Sequence, residues 1–165
     1  MIGGNAHMKT KVLFICTHNA ARSQMAEGYL RSRYGDRYDS FSAGTEVSTV
    51  SLFAVRTMLE IGIDISQQRS KSLDEFDGKK MDVVVTVCDN AKAACPFFPG
   101  AKKTLHMSFP DPKGFTGSDD EVLEGFRTVR DEITRWIDAT FGQEDAWDNE
   151  EREVVQSPRD GETMS

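Results

Sequence analysis

The sequence is organised around one short segment in which an apolar run gives way, through a polar loop, to a helical pattern. Residues 12–15 are uninterrupted and apolar, which is typical of a strand buried on both faces. Met25, Tyr29 and Leu30 then recur at helical spacing, so we expect a helix to begin near Ser23. The residues between strand and helix form a loop, Cys16-Thr17-His18-Asn19-Ala20-Ala21-Arg22-Ser23.

A loop of this kind predicts a binding site for an anion. A short connection from a buried strand to a helix N-terminus directs several backbone N–H groups into one concavity, and the helix dipole adds partial positive charge. These groups would stabilise the thiolate of Cys16, which is the nucleophilic form. Arg22 supplies a planar guanidinium that can hold a tetrahedral oxyanion with two hydrogen bonds, and Ser23 can hydrogen-bond the sulfur. Taken alone, Cys16 would more often be an inert buried thiol.

Apolar runs and helical patterns alternate along the rest of the chain. Strands are predicted at 38–43, 81–87 and 103–107, and helices at 51–61 and about 121–141, with a helical turn after Ser72. This alternation favours an α/β fold with a parallel sheet and right-handed crossovers. Ligands of such sheets bind beyond the carboxyl ends of the strands, where Cys16 would lie.

Length and charge indicate one domain followed by an acidic tail. The 165 residues suffice for one core but not comfortably for two. Residues 1–9 are expected to be a flexible extension, and residues 10–141 to form the catalytic domain. Of the net charge of −7, residues 144–165 contribute −6, from eight acidic and two basic side chains. Residues 142–165 are therefore predicted to be a disordered tail.

The composition gives no support to several classes of function. No apolar run approaches the roughly 18 residues of a membrane span, and no basic run or basic-aromatic stripe indicates nucleic-acid binding. An odd number of cysteines, three, argues against a secreted disulfide framework. We therefore expect a cytoplasmic protein without nucleic-acid or membrane partners, and we expect it to be a monomer.

The other two cysteines, Cys88 and Cys95, follow the third predicted strand, so Cys88 should emerge at the same sheet edge as Cys16. If residues 88–95 are helical, the two lie about 10 Å apart along the axis at ~1.5 Å per residue. A disulfide needs Cα atoms within about 7 Å. We infer a segment that is helical when reduced and looped out when these cysteines are bonded, which Pro96 favours. Two inert thiols, or a zinc site of all three cysteines with His106, are the alternatives.

Two sequence strings resemble a known family. The segment C-x5-R-S resembles the phosphate-binding loop of the low-molecular-weight protein tyrosine phosphatase fold. The longer string F-I-C-T-H-N-A-A-R-S-Q-M-A-E-G resembles the arsenate reductase branch of that fold, with Gln24 where the phosphatase branch usually has proline. Over residues 10–141 the resemblance implies a four-stranded parallel sheet flanked by helices.

The three cysteines resemble those of the thioredoxin-coupled arsenate reductases, in which two resolving cysteines, seven residues apart, follow the third strand. The resemblance implies that Cys16 attacks arsenate, that Cys88 then attacks Cys16, and that Cys95 attacks Cys88. It implies a general acid in a D-P loop before the last helix, where Asp111 stands, although an ordinary turn aspartate is the commoner interpretation from sequence alone. Lys113 stands where the phosphatase branch typically has tyrosine.

Members of this family often carry a potassium site behind the loop, formed by residues that match Asn19, Glu27 and Ser42. An acidic ligand is expected near position 71, but Lys71 stands there. We hypothesise that its ammonium pairs with Glu27 in place of a cation, so no metal is expected. His18 is expected to have a structural role.

The preferred hypothesis is an arsenate reductase without a bound cofactor, which uses reduced thioredoxin as its electron donor. A phosphatase that hydrolyses phosphate monoesters is the alternative; it would use Cys16, Arg22 and Asp111 but leave Cys88 and Cys95 without a role. A third hypothesis is a non-catalytic protein that binds oxyanions or senses redox state through the same loop.

Overall fold

The described residues, 9–87 and 98–143 of the computed structural model, form one parallel sheet with helices packed on it. The elements in chain order are β1 (Thr10–Cys16), α1 (Arg22–Tyr34), β2 (Tyr38–Gly44), α2 (Leu52–Leu59), β3 (Met81–Thr86), β4 (Ala101–His106) and α3 (Asp119–Phe141). Short 3-10 turns lie at Leu73–Phe76 and Pro112–Gly114. The predicted fold class is confirmed.

The sheet brings the carboxyl ends of its strands to one edge. The strand order is β2-β1-β3-β4, and every pairing is parallel. Cys16 lies opposite Gly44 at the end of β2, and Ile15 lies opposite Thr86 at the end of β3. Thr86 in turn lies opposite His106, the last residue of β4. Residues that follow β1, β3 and β4 therefore begin close together.

Strand β1 is buried on both faces, as its unbroken apolar run predicts. Val12 and Phe14 point to one face, where they pack against the three α-helices. Leu13 and Ile15 point to the other face and join a smaller cluster that includes Phe76 and Phe98. A strand enclosed on both sides fixes the position of Cys16 at its end.

Helices α2 and α3 begin at the serines that cap them. The Ser118 hydroxyl accepts from the backbone N–H of Glu121, whose carboxylate accepts from the backbone N–H of Ser118 in return. The Ser51 hydroxyl accepts from the backbone N–H groups of Phe53 and Ala54. These caps satisfy amides at the helix starts. The backbone N–H of Ser51 donates to the Ala20 carbonyl, which holds the start of α2 beside the loop that follows β1.

Most element boundaries differ from the predicted ones by one or two residues. Strand β4 begins at Ala101 rather than at residue 103, because its backbone already pairs with Met81 of β3 where the side-chain pattern is weak. Helix α1 begins at Arg22 rather than near Ser23. The predicted segment at 88–95 lies outside the described residues, as do residues 1–8 and 144–165. No helix among the described residues is long and apolar enough to cross a membrane.

Candidate active site

Cys16 is the last residue of β1 and is only 2% exposed. Gly44 lies beside it, and a Cβ atom at Gly44 would lie 2.7 Å from the Thr17 carbonyl oxygen and 2.8 Å from the Asn19 nitrogen. Only a glycine therefore lets the end of β2 come so close to the loop after Cys16. The sulfur of Cys16 lies 2.8 Å from the Ser23 hydroxyl.

The backbone of the loop after Cys16 is oriented by contacts on its outer side. Four consecutive carbonyls, those of residues 17–20, each accept a hydrogen bond from outside the loop. The donors, in chain order of the acceptors, are Glu46 N (2.8 Å), Ser70 Oγ (3.0 Å), Gln24 Nε2 (3.1 Å) and Ser51 N (2.9 Å). In a trans peptide the N–H points opposite to the C=O. The amides of residues 18–21 thus point to the inner side, and they donate to no acceptor within 9–87 and 98–143.

Asn19 is the residue that shapes this loop. Its backbone is left-handed, with a φ of 54°, a conformation that asparagine adopts more readily than most residues. Its side-chain oxygen accepts from the backbone N–H of Lys71 (2.7 Å), which fixes the orientation of the amide. Its Nδ2 then donates to the hydroxyls of Ser23 (2.8 Å) and Ser42 (3.0 Å). When Cys16 is a thiolate it can only accept, so the Ser23 hydroxyl then donates its proton to the sulfur and stabilises the negative charge.

Arg22 joins the loop to the ends of two other segments. Its side chain is 4% exposed, and it donates to the carbonyls of Val87 (3.3 Å) and Phe109 (3.4 Å). Its Nη2 lies 3.4 Å from Oδ2 of Asp111. Val87 directly precedes Cys88 in the chain. The guanidinium thus holds the loop, the end of β3 and the Asp111 segment together.

These groups surround a cavity of about 170 Å³ at the carboxyl edge of the sheet. Its lining comprises Cys16, His18, Ala20, Ala21, Arg22, Ser48, Ser51, Asp111 and Phe126. Pockets for drug-sized ligands usually measure roughly 300–1,000 Å³, so this cavity suits a small ion. A buried sulfur, a cationic side chain and inward-facing amides give it the chemistry of a site for nucleophilic attack on an oxyanion.

A second charged cluster lies behind the loop. The Lys71 ammonium is 3.6 Å from the Glu27 carboxylate and donates to the carbonyl of Arg69 (3.0 Å). Glu27 is 5% exposed and also accepts from Ser42 and Arg31. Burial lowers the pKa of Lys71, and the attraction of Glu27 opposes that shift. The predicted pairing of Lys71 with Glu27 is thus present in the geometry.

The structure brings most of the predicted site residues together, but it does not describe all of them. Cys16, Arg22 and Asp111 line one cavity, and the residues expected to support the loop contact one another behind it. Cys88 and Cys95 lie outside the described residues, so the predicted redox segment and the zinc alternative are not tested. No cluster of potential metal ligands occurs in the part of the chain that the structure describes.

Sequence reasoning missed the buried amide of Gln24 beside the loop and its part-buried partner, Gln68. The Gln24 side chain donates to Asn19 and to the carbonyl of Arg69 (2.9 Å), and it accepts from Nε2 of Gln68 (2.7 Å). The only sequence signal at Gln24 is that the phosphatase branch usually has proline at this position. The hydrophobic pattern of the sequence gives no signal at Gln68. His18 was expected to be structural, yet it lines the cavity and lies 3.2 Å from the Glu46 carboxylate.

The fold and the loop geometry agree with a comparison to known families. The family model described as low molecular weight phosphotyrosine protein phosphatase matches residues 11–146. The chain belongs to this family. The resemblance inferred from the C-x5-R-S segment is therefore confirmed.

Curated relatives within the low molecular weight phosphotyrosine protein phosphatase family include proteins named arsenate reductase. The one from Halalkalibacterium halodurans is 46% identical over 135 residues, which cover 82% of this chain and 96% of the relative. The one from Bacillus subtilis is 42% identical over 127 residues, covering 76% of this chain and 91% of the relative.

Solved structures that resemble this chain include an arsenate reductase and a low molecular weight protein tyrosine phosphatase. An arsenate reductase in a phosphate-binding state is 34% identical, with a TM-score of 0.68 over 80% of this chain and 95% of the other. A low molecular weight protein tyrosine phosphatase from T. tengcongensis is 27% identical, with a TM-score of 0.60 over 79% of this chain and 96% of the other. Both a reductase and a phosphatase therefore share this architecture.

Proposed function

We propose that this protein is an arsenate reductase that passes electrons from reduced thioredoxin to arsenate through three cysteines. The observation that carries the proposal is the small cavity in which the Cys16 sulfur, the Arg22 guanidinium and the inward-facing loop amides meet. Identities of 42% and 46% to proteins named arsenate reductase support the choice of substrate.

The first step is nucleophilic attack by Cys16 on arsenic. The loop amides and Arg22 hold the oxygens of arsenate and stabilise the charge that builds up on them. Protonated Asp111 donates a proton to the departing oxygen, which leaves as water while a sulfur–arsenic bond forms. Its position in the wall of the cavity that also contains the Cys16 sulfur supports this role.

The second step transfers two electrons. The Cys88 thiolate attacks the Cys16 sulfur, so a disulfide forms, the sulfur–arsenic bond breaks, and arsenic keeps the electron pair as arsenite. Cys95 then attacks Cys88, which releases the Cys16 thiolate and leaves a Cys88–Cys95 disulfide. The dithiol of thioredoxin reduces this disulfide and is itself oxidised. The attack of Cys88 on Cys16 is supported by the hydrogen bond from Arg22 to the carbonyl of Val87, the residue before Cys88.

The same cavity would give a different outcome with a phosphate ester. Arsenic accepts two electrons in this chemistry and phosphorus does not, so a phosphate ester could only be hydrolysed. The presence of Lys113, where the phosphatase branch typically has tyrosine, and the small volume of about 170 Å³ both favour a free oxyanion over an aromatic ester.

A steady-state assay with arsenate, thioredoxin, thioredoxin reductase and NADPH tests the proposal. With wild-type protein, thioredoxin reductase should oxidise NADPH only when arsenate is present. Cys88→Ser and Cys95→Ser should each abolish turnover yet retain any slow hydrolysis of p-nitrophenyl phosphate, whereas Cys16→Ser should abolish both activities. If wild type caused no arsenate-dependent oxidation of NADPH, and wild type, Cys88→Ser and Cys95→Ser hydrolysed p-nitrophenyl phosphate equally, a phosphatase would be indicated instead.

Mass mapping of disulfides gives a direct view of the relay. One equivalent of arsenate without reductant should give a Cys88–Cys95 disulfide in wild type and a Cys16–Cys88 disulfide in Cys95→Ser. Arsenate that left all three thiols reduced, with neither activity detected, would point to a non-catalytic oxyanion-binding protein.

A further inference from the structure

A basic groove lies at the edge of the sheet opposite to Cys16. It has a volume of about 680 Å³ and is formed by the first residues of β1, β3 and β4. Thr10 begins β1 and Cys16 ends it, so the groove and the cavity are separated by about 20 Å at ~3.3 Å per residue. We call this feature the amino-edge groove. Its lining comprises Lys9, Thr10, Lys11, Lys80, Met81, Asp82, Val83, Pro99, Gly100, Ala101, Lys102 and Lys103.

The amino-edge groove carries an excess of positive charge around an apolar floor. Five lysines and a single acidic residue, Asp82, line it. Asp82 lies 3.5 Å from the Lys102 ammonium. Lys11, Lys80 and Lys103 form no ion pair with any residue in the ranges 9–87 and 98–143. Clustered cations of this kind raise the local potential and attract an anionic partner.

The chain after α3 leaves the fold beside this groove. The carbonyl of Phe141, the last residue of α3, accepts from the Tyr38 hydroxyl (3.2 Å). Arg37 donates to the carbonyl of Gln143 (3.1 Å), and Tyr38 lies opposite Thr10 in the sheet. Neighbouring strands are about 4.8 Å apart, so along the sheet the starts of β1, β3 and β4 lie roughly 5–15 Å from the backbone of Tyr38, whose side chain reaches the end of α3.

The segment that follows has the complementary charge. Residues 144–151 read Glu-Asp-Ala-Trp-Asp-Asn-Glu-Glu, with five acidic and no basic side chains. Trp147 lies six residues beyond Phe141, a span of up to about 20 Å. An indole placed on the floor of Met81, Pro99 and Ala101 would lose contact with water while the flanking carboxylates met the lysines of the rim.

We propose that residues 144–165 dock into the amino-edge groove of their own chain, with residues 144–151 on the lysines and Trp147 on the apolar floor. The alternative occupant from the same chain is residues 1–8, which precede Lys9 of the groove in sequence, but they contain no acidic residue and have no complementary charge. A tether this short gives an effective concentration on the order of millimolar, so weak individual contacts are sufficient for docking.

Tryptophan fluorescence tests the proposal on the full-length protein. The only other tryptophan is Trp136, so the difference between wild type and Trp147→Phe isolates the emission of Trp147. At low ionic strength, near 0.01 M, where the Debye length is about 30 Å, this emission should be blue-shifted and several-fold less quenched by acrylamide than that of a synthetic peptide of residues 144–165. Near 1 M salt, where the length is about 3 Å, quenching should approach that of the peptide.

A matched pair of variants separates docking from a general effect of charge. Lys80→Glu with Lys103→Glu reverses two charges in the groove and should expose Trp147 at low salt. Arg56→Glu with Arg135→Glu changes the net charge equally at exposed positions on α2 and α3 and should leave Trp147 protected. Circular dichroism verifies that both proteins are folded.

Three results would overturn the proposal. The first is full quenching of Trp147 in wild type at low salt, and the second is equal protection in both double variants. The third is protection that grows with protein concentration together with a dimer in sedimentation, since the tail would then occupy the groove of a second copy. None of these results bears on the arsenate assay, so the two proposals are tested separately.

Discussion

The ammonium of Lys71 lies 3.6 Å from the carboxylate of Glu27, behind the loop that carries Cys16. Ser42 links this pair to the loop, because its hydroxyl donates to Glu27 and accepts from Asn19. A fixed positive charge thus stands at the back of the site as part of the protein itself. Lys71 Nζ also lies 3.5 Å from the Ser42 hydroxyl, so it occupies the space between these oxygens.

We therefore expect the melting temperature and activity of wild type to be the same in potassium and sodium chloride at equal ionic strength. Lys71→Asp would leave carboxylates facing each other without their cation, so this variant should be destabilised by about 1–3 kcal/mol and partly rescued by potassium. Thermal melts in the two salts measure this. Lys79→Asp, at an exposed lysine outside the cluster, is the control and should show no cation preference. A marked potassium effect on wild type would contradict the idea.

The buried amide of Gln24 should be important for both stability and activity. Gln24→Ala removes the side-chain donor to the carbonyl and the side-chain oxygen of Asn19. Nε2 of Gln68 loses Oε1 of Gln24 but keeps the backbone carbonyl of Gln24 as an acceptor. The Asn19 carbonyl is left without this donor, and an unsatisfied buried polar group costs about 1–3 kcal/mol, so we expect a loss of this size in the free energy of unfolding from urea titration. Turnover should fall as well, because Asn19 loses a contact that holds its left-handed backbone. Gln67→Ala, at the exposed neighbouring glutamine, should change neither quantity.

The core of the site could be predicted from sequence because it is local. Cys16, the loop and Arg22 lie within seven residues, and the change from an apolar run to a helical pattern is visible in a single string. The strand that precedes the loop and the start of the helix that follows it were predicted to within about two residues for the same reason.

The contacts that orient the site could not be predicted, because they join residues that are distant in sequence. Arg22 donates to carbonyls 65 and 87 residues away, at Val87 and Phe109. Gln24 and Gln68 are 44 residues apart, and neither belongs to a periodic pattern. Backbone acceptors carry no signal in the sequence at all, since every residue has a carbonyl.

Tyr29 on α1 should make the protein sensitive to alkaline pH. Burial, together with its hydrogen bond to Asp138, raises the pKa of Tyr29 to about 12. A raised pKa of the folded state means that stability is fully present below the ordinary value of about 10 and is lost as pH rises from there towards 12. At about 1.4 kcal/mol per pKa unit, roughly 1 kcal/mol should be lost by about pH 11.

Urea unfolding at a series of alkaline pH values measures this loss. Tyr29→Phe should be less stable than wild type near neutral pH but should lose less stability between about pH 10 and 12, because its buried ring cannot ionise. Tyr34 contributes in the same direction, since burial and Asp138 raise its pKa too, so some pH dependence should remain in the variant. Parallel curves for the two proteins would show that Tyr29 does not have this role.

Ser23 should control the reactivity of Cys16 through the proton that it directs to the sulfur. Its hydroxyl accepts from Asn19, so the remaining proton is available for Cys16, at a distance of 2.8 Å. Hydrogen bonds to charged groups contribute about 1.5–3 kcal/mol. Because 1.4 kcal/mol corresponds to about tenfold in rate, Ser23→Ala should lower kcat/KM for arsenate roughly ten- to a hundredfold.

The matched control for Ser23→Ala is Ser48→Ala, since Ser48 lines the same cavity but the hydrogen bond to the Cys16 sulfur comes from Ser23. We expect Ser48→Ala to retain most of the activity, and Ser23→Thr to recover part of what Ser23→Ala loses, because threonine restores the hydroxyl. Melting curves separate an effect on chemistry from one on folding. Equal losses in Ser23→Ala and Ser48→Ala would mean that the cavity needs both hydroxyls for binding the anion, and the directed proton would then not be the cause.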